Sequence, residues 1–326
     1  MATKKIAQAP IERVDRQPVV FQNQDSKLWL AGIVYRPRQR RANEKLPLVI
    51  IGGPMASVKE LTQSLYAQLL ADRGYATMVF DHSFVGSSEG HPRAYEDPEV
   101  KGSDWRSAIT FAQTLPDIDA DRIAGIGICG SGVYLPCGVK DDARMKAVVS
   151  IVPFTIMDIV VTATDEQLLQ MKADYENGAE PDRLHMIEEG SEGALYYFDP
   201  NRGAAVQMVE MPTWSQLAWH QFHPTEIIRD FRKPYLVITG EQAFTRPGAE
   251  LMYQNAASEV KELHVIPGAL HFEMYDHEEY VMQNLALIEK FLKDLNSAVL
   301  WFNNLYKYLS NKKLPRILSC WKFHLP

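Results

Sequence analysis

The sequence predicts an α/β protein: a mostly parallel sheet, helices on both faces, and a helical cap insertion. Three features carry the first part of that prediction. Apolar runs do not alternate, helical patterns separate them, and glycines sit where the runs end. An unbroken apolar run suits a strand covered on both faces. Strand–helix–strand repetition makes such strands parallel.

Taken in order, LWLAGIVYRP (28–37) reads as an early strand closed by Pro37, and LPLVIIGGP (46–54) as a buried one. In SVKE, Ser57 and Glu60 fit a capping box, and Leu61, Leu65 and Leu69 then line one helical face. YATMVFD (75–81) is the next strand. GSDWRSAITFAQTLP (102–116) is the next helix, with Trp105, Ile109 and Ala112 on one side. DRIAGIGI (121–128), MKAVVSIVP (145–153), KPYLVITG (233–240) and KELHVIPG (261–268) supply four more strands. EEYVMQNLALIEKFLKDL (278–295) is the closing helix.

Two segments break the alternation. Residues 155–226 hold helical patterns and no convincing strand, which predicts a cap over one end of the sheet. Residues 297–326 are basic, aromatic-rich and free of acids. They read either as an amphipathic contact with a membrane or partner, or as an appendage beyond the end of the fold. The expected organisation is an extension (1–19), a core in two parts (20–154 and 227–296), the cap between them, and the tail.

Composition narrows the function. The 326 residues are 46% hydrophobic and 23% charged, ordinary for a globular protein. A net charge of -7 argues against nucleic acid or an anionic membrane as the main partner. No apolar run reaches the roughly 18 residues a spanning helix needs, and the first 18 residues lack the apolar core of a secretion signal. Cys129, Cys137 and Cys320 form neither a disulfide framework nor a metal-ligand spacing. A cytoplasmic protein without cofactor or metal is expected.

In an open parallel sheet, ligands bind beyond the carboxyl ends of the strands. The strand RIAGIG runs into Gly127-Ile128-Cys129-Gly130-Ser131-Gly132. A nucleophile elbow needs small residues two positions either side of the nucleophile. Around Cys129 these are Gly127 and Ser131; around Ser131 one is the bulky Val133. The register favours Cys129, with Ser131 as the alternative and an inert buried thiol as the third possibility. Pro136 falls in the second turn of the following helix, where it removes a hydrogen bond.

A thiol nucleophile needs a base after another strand. His271, just beyond the last strand, is the first candidate and His82 the second. His220 and His223 have a metal-like spacing without a third ligand, and His264 lies inside a strand pattern. An acid orienting the histidine belongs after PYLVITG. Glu241 is the only acid in that first turn, and it also reads as a solvated loop carboxylate. An oxyanion hole needs two backbone N–H groups. Gly130 supplies one, and the IGGPMAS loop the other through Met55, since Pro54 has no N–H.

These residues together resemble the α/β-hydrolase superfamily over about residues 20–296, in its chain order of nucleophile, acid and histidine. DHSFVGSSEG (81–90) looks like the superfamily's D-x-R-G-x-G-x-S-x-G loop, with Ser83 and Phe84 replacing the arginine and first glycine. GPMASVKE, the elbow GIC, YYFDPNRG and GALHFEMYD are similar to a narrower group. It holds dienelactone-hydrolase-like proteins and fungal polyketide transferases and thiohydrolases, including the transferase of fumagillin biosynthesis. The resemblance implies Cys129 as nucleophile and His271 as base. The usual aspartate position is Ala243 here, so Glu241 is a substitute.

The expected reaction is acyl transfer through a thioester intermediate, to water or to an alcohol. A thiolate is a better leaving group than an amine, so thioesters, lactones and activated esters suit it better than peptides. Tyr196, Tyr197, Trp214 and Trp219, with Phe198 and Phe222, are candidates to line an apolar acyl channel; they read equally as the cap's own core. The expected partners are a polyketide or fatty acyl thioester, carried on a protein, and a second copy of the chain in a homodimer. The competing class is a hydrolase scaffold that binds ligands without catalysis.

Overall fold

The computed structural model describes residues 11–41, 43–155, 163–204 and 210–311. Most of the expected extension and the tail from 312, Cys320 included, lie outside them. So do 156–162 and 205–209 of the expected cap.

Two strands, β1 (Val14–Gln22) and β2 (Trp29–Pro37), form an antiparallel pair at one edge of an eight-stranded sheet. β1 takes in residues 14–19, which the sequence reading left in the extension. Pro18 and an exposed outer face hide the strand, and an edge is where a sheet tolerates proline. β2 pairs antiparallel with β4 (Ala76–Phe80), and the sheet is parallel from there. Its order continues through β3 (Leu46–Gly52), β5 (Ile118–Ile128) and β6 (Met145–Ile151). β5 is central. Ile123, Ile126 and Ile128 are fully buried, each contributing about 1.5–3 kcal/mol.

α1 (Thr62–Ala71) connects β3 to β4. It starts at Thr62 with Leu61 as its uncapped N-cap, so Ser57 and Glu60 do not form the expected capping box. Residues 54–61 fold instead into successive turns, closed by Ser57 N–H to Pro54 O and Leu61 N–H to Val58 O. α2 (Pro98–Ala112) does carry a cap: Asp97 accepts from the Glu99 and Val100 amides, and Pro98 occupies the first helical position. Its buried face includes Trp105, Ile109 and Ala112. It packs closely on α3 (Ser131–Val139), where a Cβ on Gly138 would lie 2.5 Å from Gly102 Cα. α3 stays helical to Val139 with Pro136 inside it.

After β6 the chain leaves the sheet. It forms α4 (Asp165–Glu176), β7 (Arg183–His185), α5 (Glu192–Tyr197), β8 (Glu210–Pro212), α6 (Gln216–His220) and α7 (Pro224–Ile227). β7 and β8 pair antiparallel. The sequence predicts no strand here because three residues carry no periodicity. β9 (Tyr235–Gly240), α8 (Arg246–Asn255) and β10 (Lys261–Ile266) complete the main sheet in the order β6-β9-β10. α9 (Glu273–Asp276) follows, and α10 runs Glu278–Asn311, past the expected end of the closing helix. The chain divides after Leu285 into two units, the second beginning within α10. No helix among the described residues is long and apolar enough to cross a membrane.

Candidate active site

The site is built on the turn between β5 and α3. Cys129 sits there at φ +56°, a left-handed conformation that costs a non-glycine residue energy. Surrounding hydrogen bonds hold it. The Cys129 N–H donates to Ile151 O at 3.0 Å, and its carbonyl accepts from the Gly132 and Phe154 amides at 2.9 and 3.0 Å. A Cβ on Gly127 would lie 2.0 Å from Ser131 O, so only glycine fits there. The small-residue requirement read from the sequence thus has a direct steric cause.

Two backbone N–H groups, from Gly130 and Met55, hydrogen-bond the Cys129 sulfur. Met55 is set by the turns ahead of α1, which are fastened from both sides. The Ala56 N–H donates to Glu96 Oε1 at 2.7 Å, with Ala56 itself at φ +49°. The Lys59 N–H and Nζ donate to the two oxygens of buried Asp81, each at 2.7 Å. Asp81 also accepts from the Ser87 amide and so shapes the loop 81–90. Phe84, in a glycine position of the resembling motif, takes φ +73°.

His271 follows β10 and is fully buried. Its Nδ1 lies 2.8 Å from Thr245 Oγ1 and its Nε2 2.9 Å from Tyr275 Oη. Tyr275 in turn hydrogen-bonds Cys129. Cys129 and His271 are therefore linked through a phenol. Burial lowers the His271 pKa to about 3 and raises the Cys129 thiol to about 11, so both groups are neutral at neutral pH.

Glu241 does not reach His271. Its carboxylate accepts from the Gly268 amide at 2.8 Å on the exposed side of the loop. The carboxylate leaves the strand too early, and Thr245, at the head of α8, takes the place beside the imidazole. Sequence reasoning missed both Thr245 and Tyr275. A hydroxyl carries no sequence signature of an orienting group, whereas Tyr275, four residues after His271, had a readable spacing.

The two alternatives raised by the sequence, Ser131 and His82, join each other in a separate buried network. His82 Nε2 lies 3.4 Å from Ser131 Oγ, and its Nδ1 lies 3.0 Å from Asp104 Oδ2. Asp104 is completed by the Ser83 amide, the Ser83 hydroxyl and Asn23 Nδ2. Neither Ser131 nor His82 lines the cavity. Of the other histidines, His220 pairs with Asp165 at 2.6 Å and His264 with Glu262 at 2.9 Å.

A cavity of about 430 Å³ opens over Cys129 and His271. Met55, Phe154, Ile187, Tyr197, Phe244 and Phe272 give it an apolar lining, with Glu188 and Glu192 as its acids. Of the four aromatics proposed from the sequence, only Tyr197 lines it. Tyr196 lies behind, under the Arg202 guanidinium and edge-on to Tyr275. Trp214 packs on Tyr175, and Trp219 is buried in the main core. Phe222 packs against Tyr134, and Phe198 is half exposed.

The segment between β6 and β9 is tied to the histidine turn. Arg202 forms a buried bidentate pair with Asp276, at 2.7 and 2.6 Å, and donates to Phe272 O at 3.3 Å. Glu192 Oε1 accepts the Phe272 amide at 2.6 Å.

A central parallel sheet with a strained turn after its middle strand is the architecture of the α/β hydrolases. No protein-family model matches the chain. It is 34% identical to protein PA2218 of Pseudomonas aeruginosa over 289 residues, 81% of this chain and 77% of that one. The crystal structure of PA2218 superposes with a TM-score of 0.79, covering 90% of this chain and 99% of the other at 28% identity. A thiohydrolase of Eupenicillium brefeldianum is 25% identical over 287 residues, 82% of this chain and 91% of its own. The fold is also that of the α/β hydrolase GrgF from Penicillium sp. sh18, at a TM-score of 0.74 and 20% identity, covering 86% and 98%. The chain belongs to the α/β-hydrolase superfamily, in the group that includes fungal thiohydrolases and acyltransferases. It is an enzyme of the hydrolase class.

Proposed function

We propose that the enzyme is a thiohydrolase or acyltransferase that takes an acyl thioester through a covalent intermediate on Cys129. The observation that carries this reading is the convergence of the Gly130 and Met55 amides on the Cys129 sulfur. A carbonyl carbon bonded to that sulfur presents its oxygen to the same two donors. One such donor is worth about 10²–10³ in rate.

In the first half-reaction Cys129 sulfur bonds to the acyl carbon, the carbonyl electron pair moves to oxygen, and the thiol proton goes to His271. The tetrahedral adduct collapses with cleavage of the bond to the leaving sulfur, which takes the proton back. Water or an alcohol then releases the acyl group by the same sequence reversed. A neutral thiol and a neutral imidazole suit a substrate with a good leaving group, and a thioester has one. The apolar cavity suits a fatty or polyketide acyl chain, presented by a carrier protein in a cytoplasmic biosynthetic route.

The test is release of free thiol from acyl N-acetylcysteamine thioesters of increasing length. Wild type is expected to turn over chains of six or more carbons, and Cys129→Ala to lose at least 10³-fold in rate. Equal turnover by the two proteins contradicts the proposal.

A further inference from the structure

We propose that Tyr275 is a catalytic residue of this site: its phenol carries the proton between Cys129 Sγ and His271 Nε2. This rests on the reading of Cys129 as the nucleophile and adds to it the path of the proton.

Among the described residues, Tyr275 Oη is the only hydrogen-bond partner of His271 Nε2, and Nδ1 is occupied by Thr245. A proton leaving Cys129 for His271 along the hydrogen bonds of this site therefore passes through Oη. The bonding capacity of each atom permits that direction. A phenol oxygen donates once and accepts twice. Oη has three partners: His271 Nε2, the Cys129 thiol and the Tyr197 hydroxyl. One arrangement uses all three contacts and primes the transfer. Oη donates to Nε2 and accepts from the Cys129 S–H and the Tyr197 O–H. Nε2 is then the unprotonated nitrogen, and Nδ1–H donates to Thr245 Oγ1. The sulfur accepts from the Gly130 and Met55 amides. In this arrangement the thiol proton already points along the path it must take.

The phenol is also held still, as proton transfer along a hydrogen-bonded path requires. Tyr275 is fully buried, with its ring against Tyr196, Phe272 and His271 at 5.0, 5.2 and 5.4 Å. From α1, the Thr62 and Tyr66 hydroxyls donate to the carbonyls of Tyr275 and Met274 at 3.0 and 2.7 Å. The next residue, Asp276, is clamped by Arg202.

The step balances without a tyrosinate. As sulfur bonds to the acyl carbon, the S–H bond breaks toward Oη while the phenolic O–H bond breaks toward Nε2. The carbonyl pair moves to oxygen. On collapse the leaving sulfur takes a proton from Oη, and Nε2–H returns one to Oη.

The test measures acylation of Cys129 by octanoyl N-acetylcysteamine thioester, using rapid quench and intact-mass detection. Wild type and Tyr275→Phe are compared, and wild type is repeated in mixtures of H₂O and D₂O. The relay predicts roughly hundred- to ten-thousand-fold slower acylation in Tyr275→Phe. It also predicts a bowed dependence of the wild-type rate on deuterium fraction, the sign of two protons in flight. Wild-type acylation rates in a folded Tyr275→Phe, or a straight one-proton dependence in wild type, would overturn it. The deuterium series decides the matter if the variant does not fold. An unacylated wild type would overturn the thioester reading itself, and the relay with it.

Discussion

Thr245 Oγ1 lies 2.8 Å from His271 Nδ1, so the histidine of this hydrolase is oriented by a hydroxyl and not by a carboxylate. A hydroxyl hydrogen-bonds Nδ1 and fixes the ring, but it brings no charge to offset an imidazolium. Thr245→Val is therefore expected to slow acyl transfer about tenfold or more, while Glu241→Gln stays within twofold of wild type. Steady-state kcat/KM on one thioester separates the two. A larger loss in Glu241→Gln would return the orienting role to that carboxylate.

The neutral pair has a pH signature. With the thiol raised to about 11 by burial, the Cys129 thiolate fraction grows about tenfold per pH unit below that value. Iodoacetamide alkylation of Cys129 is expected to accelerate in the same proportion between pH 7 and 10. His271, held near 3, adds no plateau in this range. A rate independent of pH from 6 to 9 would mean a stored thiolate–imidazolium pair.

Arg202 and Asp276 make a buried pair whose carboxylate sits one residue from Tyr275. Removing the guanidinium leaves Asp276 buried and uncompensated, at a cost of about 3–5 kcal/mol. Arg202→Met is expected to lower the denaturant midpoint accordingly and to slow acylation, because the turn carrying His271 and Tyr275 loosens. Chemical denaturation reads the first effect, and a change below 1 kcal/mol would show that the pair is not what holds the turn.

Phe244 lies tilted over His271, with ring centroids 4.6 Å apart, and lines the cavity, whereas Trp214 packs on Tyr175 away from it. Phe244→Ala is expected to raise KM for a long-chain thioester about tenfold. Trp214→Phe should leave KM within twofold while lowering the melting temperature. The opposite pattern would place the acyl chain elsewhere in the cap segment.

What the sequence made legible follows the range of each constraint. The Cys129 register could be read because the clash at Gly127 involves residues four apart in the chain. His271 could be read because strand order alone delivers the loop after β10 to the sheet's ligand end. Thr245 could not, since its meeting with His271 depends on how the turn after β9 folds, and the carboxylate at Glu241 was the chemically obvious choice. The aromatic lining was misjudged for a similar reason. Trp214 and Trp219 sit on one-turn helices, whose facing no periodicity reveals, and the cavity is lined by Phe154, Phe244 and Phe272 from core loops. Edge strand β1 was hidden by Pro18.

The central claim is that Cys129 becomes acylated. Its most direct test is intact-mass measurement of the protein seconds after mixing with an octanoyl thioester, followed by peptide mapping. The account predicts one octanoyl group on Cys129 in wild type and none in Cys129→Ala. Thioester turnover with no adduct on Cys129, or an adduct that persists in Cys129→Ala, would contradict it.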